Sequence, residues 1–328
     1  GVDISSYRTL KDSGVKYYDF EGNELDDAGF FKLLKDSGIN YVRIRVWNNP
    51  YDASGNGYGG GNNDLQKAVD MGKLATDAGM RVMIDFHYSD FWADPAKQKA
   101  PKAWADMTIA EKTAAVKDYT MNSLNTLLDA GVDVGMVQVG NETNNGIAGE
   151  NGLENANTTA IFRAGCEAIQ QVEQERSRVI KAVVHFANPE KQNYMTYADE
   201  LAKTGVEYDV FASSYYPYWH GTLDNLKNQL NAITENYGKE VMVAETSWAT
   251  GLEDSDGHAN TVREGNNDAG MDYDFSIYGQ AKELREVINT VAEMNKGIGV
   301  FYWEPAWIPV KVYDPEAEDA EQTLATVS

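Results

Sequence analysis

Eight short apolar runs, separated by stretches of helical period, constrain the fold of this 328-residue chain more than any other feature. The runs are GVDIS (1–5), NYVRIRVW (40–47), RVMIDFH (81–87), VGMVQVGNE (134–142), RVIKAVVHF (178–186), YDVFASSYY (208–216), EVMVAETSW (240–248) and GVFYWEPAW (299–307). Each is near-continuously apolar rather than alternating, the pattern of strands covered on both faces. Between them, helical spacing of apolar residues marks roughly 26–37, 64–79, 108–130, 157–175, 191–203, 223–236 and 276–295. Several of these segments close on a glycine that leads directly into the next run, as in KDSGINYV, TDAGMRVM, LDAGVDVG and MNKGIGVF. Glycine there supplies the positive φ that turns a chain out of a helix. Strands alternating with helices in this number predict a parallel (β/α)8 barrel, a TIM barrel, as a single domain over residues 1–310. A doubly wound open sheet fits less well, because no G-x-G-x-x-G opens the first helix. No eighth helix is evident after Trp307, and residues 311–328 form a short acidic tail, expected to be an abbreviated or incomplete closing element.

Composition narrows the partners. With 51 acidic and 28 basic residues the formal charge is −23, a field that repels nucleic acid and polyanions and tolerates neutral substrates. No run of about 20 apolar residues is present, so no membrane-spanning helix is expected. The single cysteine, Cys166, excludes an intramolecular disulfide and a thiolate metal cluster, and FRAGCEAI reads as a buried, inert thiol on a helix. The chain opens at GVDIS without a basic-then-apolar leader, so a signal peptide is expected to have been removed or not included. The expected setting is secreted or cell-surface, and the expected state a monomer.

In a barrel of this type the site is built from the C-terminal strand ends and the loops after them. Those ends carry Asp3, Arg45, Trp47, Asp85, His87, Asn141, Glu142, Tyr215, Tyr216, Glu245, Trp248, Trp303 and Glu304, whereas the strand starts Tyr41, Val82, Val134 and Ile180 do not look like a site. Two carboxylates stand out: Glu142 ends VQVGNE and Glu245 ends VMVAE, each after a run too apolar to accommodate a charge inside. Internal ion pairs at the barrel rim are the bland alternative. The chemical reading is an acid/base and nucleophile pair facing each other across the barrel mouth from the fourth and seventh strands. A gap of about 5–5.5 Å would imply retention through a covalent glycosyl-enzyme, and about 6.5–9.5 Å inversion.

Neighbouring residues fit supporting roles. Arg45 is expected to hold the nucleophile ionised, and Tyr216 to donate to the same carboxylate. Asn141 is placed to bond a sugar 2-hydroxyl. His87 reads equally as an orienting group at the site floor or as a satisfied core histidine. Five of the seven tryptophans (Trp92, Trp219, Trp248, Trp303 and Trp307) fall at or beyond strand ends and are expected to stack on sugar rings.

At these residues the chain resembles the 4/7 superfamily of retaining glycoside hydrolases, clan A. Within it, GVDISS, GINYVRIRVWNNP, DFHYSDFWADPAKQ, VQVGNET, SYYPYWHGTL, AETSW and FYWEPAW together resemble the endo-β-1,4-galactanases of glycoside hydrolase family 53, including its bacterial members. The resemblance runs from Gly1 to about Pro309 and implies Glu142 as acid/base, Glu245 as nucleophile, and Arg45, His87, Asn141, Tyr216 and Trp303 around them. It further implies endo-cleavage of β-1,4-galactan or galacto-oligosaccharides, a neutral polysaccharide partner, by double displacement. Ser214 departs from the pattern, standing where members of the superfamily often carry histidine. Bacterial members of the family resemble this chain in carrying a D-x-D-x-H-x-N calcium loop after strand seven, here Asp254, Asp256, His258 and Asn260. In them the histidine gives its backbone carbonyl and further ligands come from a long loop after strand eight, a segment this chain nearly lacks. Such closely spaced oxygen donors suit calcium, and an acidic solvated loop is the alternative reading.

Other readings stay open from sequence: an endo-β-mannanase, xylanase or glucanase on the same barrel, or a non-catalytic carbohydrate-binding barrel. A metal-dependent hydrolase lacks a ligand set, since the four histidines (87, 185, 220 and 258) show neither H-x-H nor H-E-x-x-H spacing.

Overall fold

A computed structural model of the chain describes residues 1–253 and 260–308. Eight parallel strands close into a barrel: β1 (Val2–Asp3), β2 (Tyr41–Val46), β3 (Arg81–Phe86), β4 (Val134–Val139), β5 (Lys181–Phe186), β6 (Val210–Ser214), β7 (Glu240–Thr246) and β8 (Gly297–Trp303). Their order around the barrel follows the sequence, and β1 pairs with both β2 and β8 to seal it. The (β/α)8 expectation therefore holds, with every expected run supplying one strand. Four of the runs extend two or three residues past their strands into the rim loops; β4, for example, stops at Val139, before the sequence Gly140-Asn141-Glu142. Residues 311–328, the expected acidic tail, lie outside the described residues.

Helices α2 (Asp27–Asp36), α3 (Leu65–Asp77), α4 (Ile109–Asp129), α5 (Ala156–Arg176), α6 (Tyr194–Lys203), α7 (Leu223–Tyr237) and α8 (Ile277–Ala292) occupy the seven expected segments. A further short helix, α1 (Tyr7–Asp12), was not expected from the sequence, because six residues show too little periodicity to detect. The helix starts are chemically marked. Asp26, Asp64, Thr108, Thr222 and Ser276 each accept a backbone N–H with the side chain, and Thr108 with Glu111 forms a reciprocal capping box.

Strand alternation sorts the apolar runs into two layers. Val42, Ile44 and Val46, Val82, Ile84 and Phe86, and Val184 and Phe186 face outward into the core beneath the helices. Inside the barrel, Met83, Met136, Val183, Val210, Ala212, Met242, Ala244 and Phe301 make a separate apolar plug. Above that plug the inward positions turn polar: Arg43, Asp85, Gln138, His185 and Ser214 are all buried there. The alternation is masked in sequence because the lower inward layer is as apolar as the outer one. The plug separates the two ends of the barrel, and the polar layer lies on its C-terminal side, where barrel enzymes build their sites.

Phe186 ties the outer core together, stacking on Phe211 at 5.0 Å and Tyr197 at 4.8 Å with no exposed surface. Phe186→Ala is expected to cost about 3–5 kcal/mol in urea unfolding, through lost burial plus a cavity; a loss below about 1 kcal/mol would show that the ring is not structural.

Candidate active site

The upper end of the barrel is organised around one guanidinium. Arg43, on β2, is fully buried and inward-facing, and it reaches three carboxylates: Asp3 and Glu245 at 2.9 and 2.8 Å from Nη1, and Asp85 at 2.8 Å from Nη2. Its Nη2 also donates to Asn141 Oδ1 (2.9 Å) and its Nε to Gln138 Oε1 (3.2 Å). Burial opposes the charge, but Asp85, Glu245 and Asp3 outweigh it and raise the guanidinium pKa further. Asp85, for its part, is held below the usual carboxylate range: burial works against its charge, and Arg43 and His87 overcome it.

This arrangement corrects the role assigned to Arg45. That residue does not pair with Glu245. Its Nη1 meets Glu304 at 2.5 Å, and its Nη2 donates to Ser6 Oγ (2.9 Å) and Gly60 O (2.7 Å). Arg43 and Arg45 sit two residues apart on the same inward face, and Arg43, one layer deeper, is the one level with Glu245. Arg45 lies instead beneath the aromatic rim, 4.3 Å from the centre of the Trp92 ring.

Glu142 and Glu245 line one cavity of 370 Å³, together with Asp85, His87, Trp92, Asn141, Tyr216, Trp219, Trp303 and Arg45. Two backbone features aim Glu142. Gly140 takes φ +80°, and Glu142 itself sits at φ +46°, a region uncommon for a residue with a side chain. A Cβ on Gly140 would stand 2.5 Å from Thr143 and 2.7 Å from Ile147, so glycine is required there on two counts. Ser214 Oγ donates to Glu142 Oε1 at 2.6 Å and meets His185 Nε2 at 2.9 Å. Burial, then Arg43, keeps the His185 pKa well below the usual value, so the ring is neutral. With the serine proton on Glu142, the imidazole carries its hydrogen on Nε2.

The two glutamates sit in opposite electrostatic settings. Glu245 has Arg43 on one oxygen and the Tyr216 hydroxyl on the other, at 2.8 Å each. Among the described residues no cation contacts Glu142. Burial and then the charge of Glu245 push the Glu142 pKa up to about 8, against the pull of Ser214. Burial raises the Glu245 pKa as well, but Arg43 and Tyr216 oppose it. One proton shared by the pair therefore resides on Glu142, and Glu245 carries the charge.

The supporting residues divide. His87 Nδ1 accepts from Trp47 Nε1 (3.1 Å) and the Ala93 N–H (3.0 Å), which puts its hydrogen on Nε2, toward Asp85 Oδ2 at 3.1 Å. It is both a satisfied histidine and part of the cavity wall. Asn141 Nδ2 donates to Ala93 O at 2.8 Å, leaving its second hydrogen for the cavity. Asp3 lies behind Arg43 and does not line the cavity. Trp248, expected as a sugar contact, and Trp47, from the strand-end set, are placed elsewhere. Trp248 is 1% exposed, stacked between Tyr218 (4.6 Å) and Phe275 (5.0 Å), with its indole N–H on Asp274 O. Trp47 is wholly buried and braces Trp92 edge-on at 5.2 Å, and Trp307 packs edge-on against Trp303 at 5.0 Å. Position at a strand end does not set the direction of a ring: Trp248 and Trp47 turn into the loop core, whereas Trp307 stays half-buried beside Trp303. The residues missed from sequence are Arg43, Gln138 and His185, while Ser214, noted only as a departure from the pattern, contacts Glu142 directly. Their signal was a polar side chain in an apolar run, in phase with the strand's inward face.

Among the described residues no group of acidic, histidine or cysteine side chains is placed to hold a metal. The expected calcium ligands Asp254, Asp256 and His258 lie outside the described residues. Asn260 is described, and its amide nitrogen donates to Leu252 O at 3.0 Å.

A family model described as Glycosyl hydrolase family 53 matches residues 1–326. The chain is 52% identical over 312 residues to the endo-beta-1,4-galactanase of Bacillus subtilis strain 168, covering 94% of this chain and 70% of that protein. It is 35% identical to the arabinogalactan endo-beta-1,4-galactanase of Humicola insolens, covering 94% and 89% respectively. The solved GH53 catalytic domain of Ignisphaera aggregans superposes with a TM-score of 0.88 at 37% identity, covering 100% of this chain and 96% of that one.

The charge partition is testable by carboxyl-carbon NMR. Glu245→Gln removes the repelling charge and is expected to bring the Glu142 titration down from about 8 toward the ordinary range. Ser214→Ala removes a bond to the ionised form and is expected to move it upward. A Glu142 titration unchanged in Glu245→Gln would refute the coupling.

Proposed function

The chain belongs to glycosyl hydrolase family 53, and from that premise we propose that it is an endo-acting hydrolase cutting β-1,4-galactosidic bonds by double displacement. Supporting the choice of galactan is likeness to two galactanases along 94% of the chain. Supporting the mechanism is a single feature of the cavity: one carboxyl that keeps its proton facing one that keeps its charge.

Each group then has a step. The Glu142 carboxyl gives its proton to the glycosidic oxygen while the Glu245 carboxylate attacks the anomeric carbon. The leaving chain departs, and a galactosyl ester of Glu245 forms. Esterification removes the Glu245 charge, so the Glu142 pKa falls and its carboxylate accepts a proton from the water that attacks the same carbon. Two inversions retain the configuration. Arg43 and Tyr216 hold the nucleophile and bind the departing carboxylate in the second step. The free hydrogen of Asn141 Nδ2 faces the sugar 2-hydroxyl, a contact that strengthens as positive charge develops. Trp92, Trp219 and Trp303 offer faces to sugar rings.

An endo-β-mannanase, xylanase or glucanase would use the same two glutamates, so substrate panels decide among them. A non-catalytic barrel has no use for the opposed charging of the pair. We further infer a monomer acting outside the cell on a neutral polymer, since a polysaccharide is not expected to cross a membrane. No described helix is long and apolar enough to span one. Calcium at Asp254, Asp256, His258 and Asn260 is likewise a proposal, supported by the alternating oxygen donors in sequence.

On purified β-1,4-galactan the initial product is expected to be the β-anomer by proton NMR. Glu245→Ala is expected to lose at least about 10⁴-fold in kcat while retaining oligosaccharide binding; near-normal turnover or initial α-product would overturn the assignment. For the metal, chelation is expected to lower the melting temperature, with recovery by calcium and not by zinc; an unchanged melting temperature refutes the calcium loop.

A further inference from the structure

The cavity that holds the glutamates adjoins another. Trp92 and Lys97 line both, and beyond them a cavity of 450 Å³ is walled by Tyr58, Phe91, Lys99 and Lys102. Its composition is unlike the rest of the molecule. Three half-buried aromatic rings and three lysines meet here with one carboxylate, Asp90, which is taken up by the Asn49 and Lys102 N–H groups, in a chain with 28 basic and 51 acidic residues.

The three lysines are not equivalent. Lys102 is committed to the scaffold, donating to Asn49 O (2.7 Å) and Tyr51 O (2.8 Å) with Asp90 at 3.5 Å. Lys97 and Lys99 are exposed, and among the described residues neither pairs with an acidic side chain. The backbone of Lys97 is nevertheless held in place. Asp94 and Lys97 exchange two backbone hydrogen bonds of 3.0 Å, closing a tight turn. The next residue, Gln98, donates from Nε2 to Asp94 O (3.0 Å) and to Asn141 O (2.9 Å), and its carbonyl accepts from the Gly149 N–H. That turn is therefore pinned to the end of β4, directly beside Glu142. The pinned turn thus carries Lys97 and Lys99 on the segment that borders the cavity of Glu142.

Resting on the hydrolase reading above, we propose that this arm is a glycan subsite for a sugar bearing a carboxylate, so that the enzyme favours galactan carrying an isolated uronic acid unit near the cleavage point. Tyr58, Phe91 and Trp92 supply faces for the C–H side of a pyranose ring. Lys97 and Lys99 supply the positive charge that a neutral galactose has no use for. The net charge of −23 repels a polyanion as a whole. The arm therefore selects a single acidic unit in a neutral chain rather than an acidic polymer. Exposed lysine–carboxylate contacts are weak and screened by salt, so the preference is expected at about threefold per lysine in dilute buffer.

The test uses β-1,4-galactan oxidised at C6 on a small fraction of its galactose units, digested beside the unoxidised polymer. Mass spectrometry of the fragments locates each uronate relative to the new chain end. Uronate enriched at one fixed position, with the enrichment lost in high salt and in the Lys97→Gln, Lys99→Gln double variant, supports the subsite. Uronate placed at random, excluded near the cut, or enriched to the same degree in the double variant overturns it while leaving the galactanase reading intact. Failure to cut even the unoxidised polymer overturns that reading, and the subsite with it.

Discussion

One buried guanidinium bears the electrostatics of the whole site. Arg43 contacts Asp3, Asp85 and Glu245 within 2.9 Å, and a buried charge left unpaired among them would cost several kcal/mol. Two arginines and five acidic side chains (Asp3, Asp85, Glu142, Glu245 and Glu304) crowd the upper barrel. Full ionisation would leave excess negative charge in a poorly solvated space. The lack is made up where no cation is in contact or where burial dominates: Glu142 is pushed up to about 8 and Glu304 to about 7. Placement of Arg43 thus decides which glutamate holds a proton and which holds the charge.

The barrel makes that placement possible. Strand alternation puts every second residue inside, and the apolar plug of Met83, Met136, Met242 and Phe301 forms a floor on which the polar layer stands. Arg45 occupies the next inward position of β2 and does a different task. With Glu304 and Ser6 it forms the bed on which Trp92 lies, and Glu304 follows Trp303 directly in the chain. One strand therefore supplies both the charge that sets the chemistry and the support for the aromatic wall. Glu142 is aimed by backbone instead, through the left-handed conformations of Gly140 and Glu142 itself.

Much of this was legible in the sequence, for identifiable reasons. A carboxylate directly after an unbroken apolar run has few structural uses, so Glu142 and Glu245 stood out, and Tyr216 followed from its place at the end of β6. Eight runs with helical spacers left few folds to consider. What stayed hidden depended on depth and direction. Arg43 and Arg45 share a strand, a face and a charge, and only the register of β2 against the rim tells which reaches Glu245. Trp248 and Trp47 sit at strand ends like Trp92 and Trp303, yet their rings turn into the loop core. Gln138, His185 and Ser214 each look like an isolated polar residue until the closed barrel brings β4, β5 and β6 side by side.

Arg43 rather than Arg45 is the partner of Glu245, and paired kinetics of the two Arg→Lys variants test this most directly. Lysine keeps the charge but cannot reach three carboxylates at once. Arg43→Lys is expected to lower kcat on β-1,4-galactan by at least about 10²-fold with little change in KM. Arg45→Lys is expected to act mainly on KM, through the loosened Trp92 wall. The reverse pattern, with kcat collapsing in Arg45→Lys and surviving in Arg43→Lys, would contradict the account.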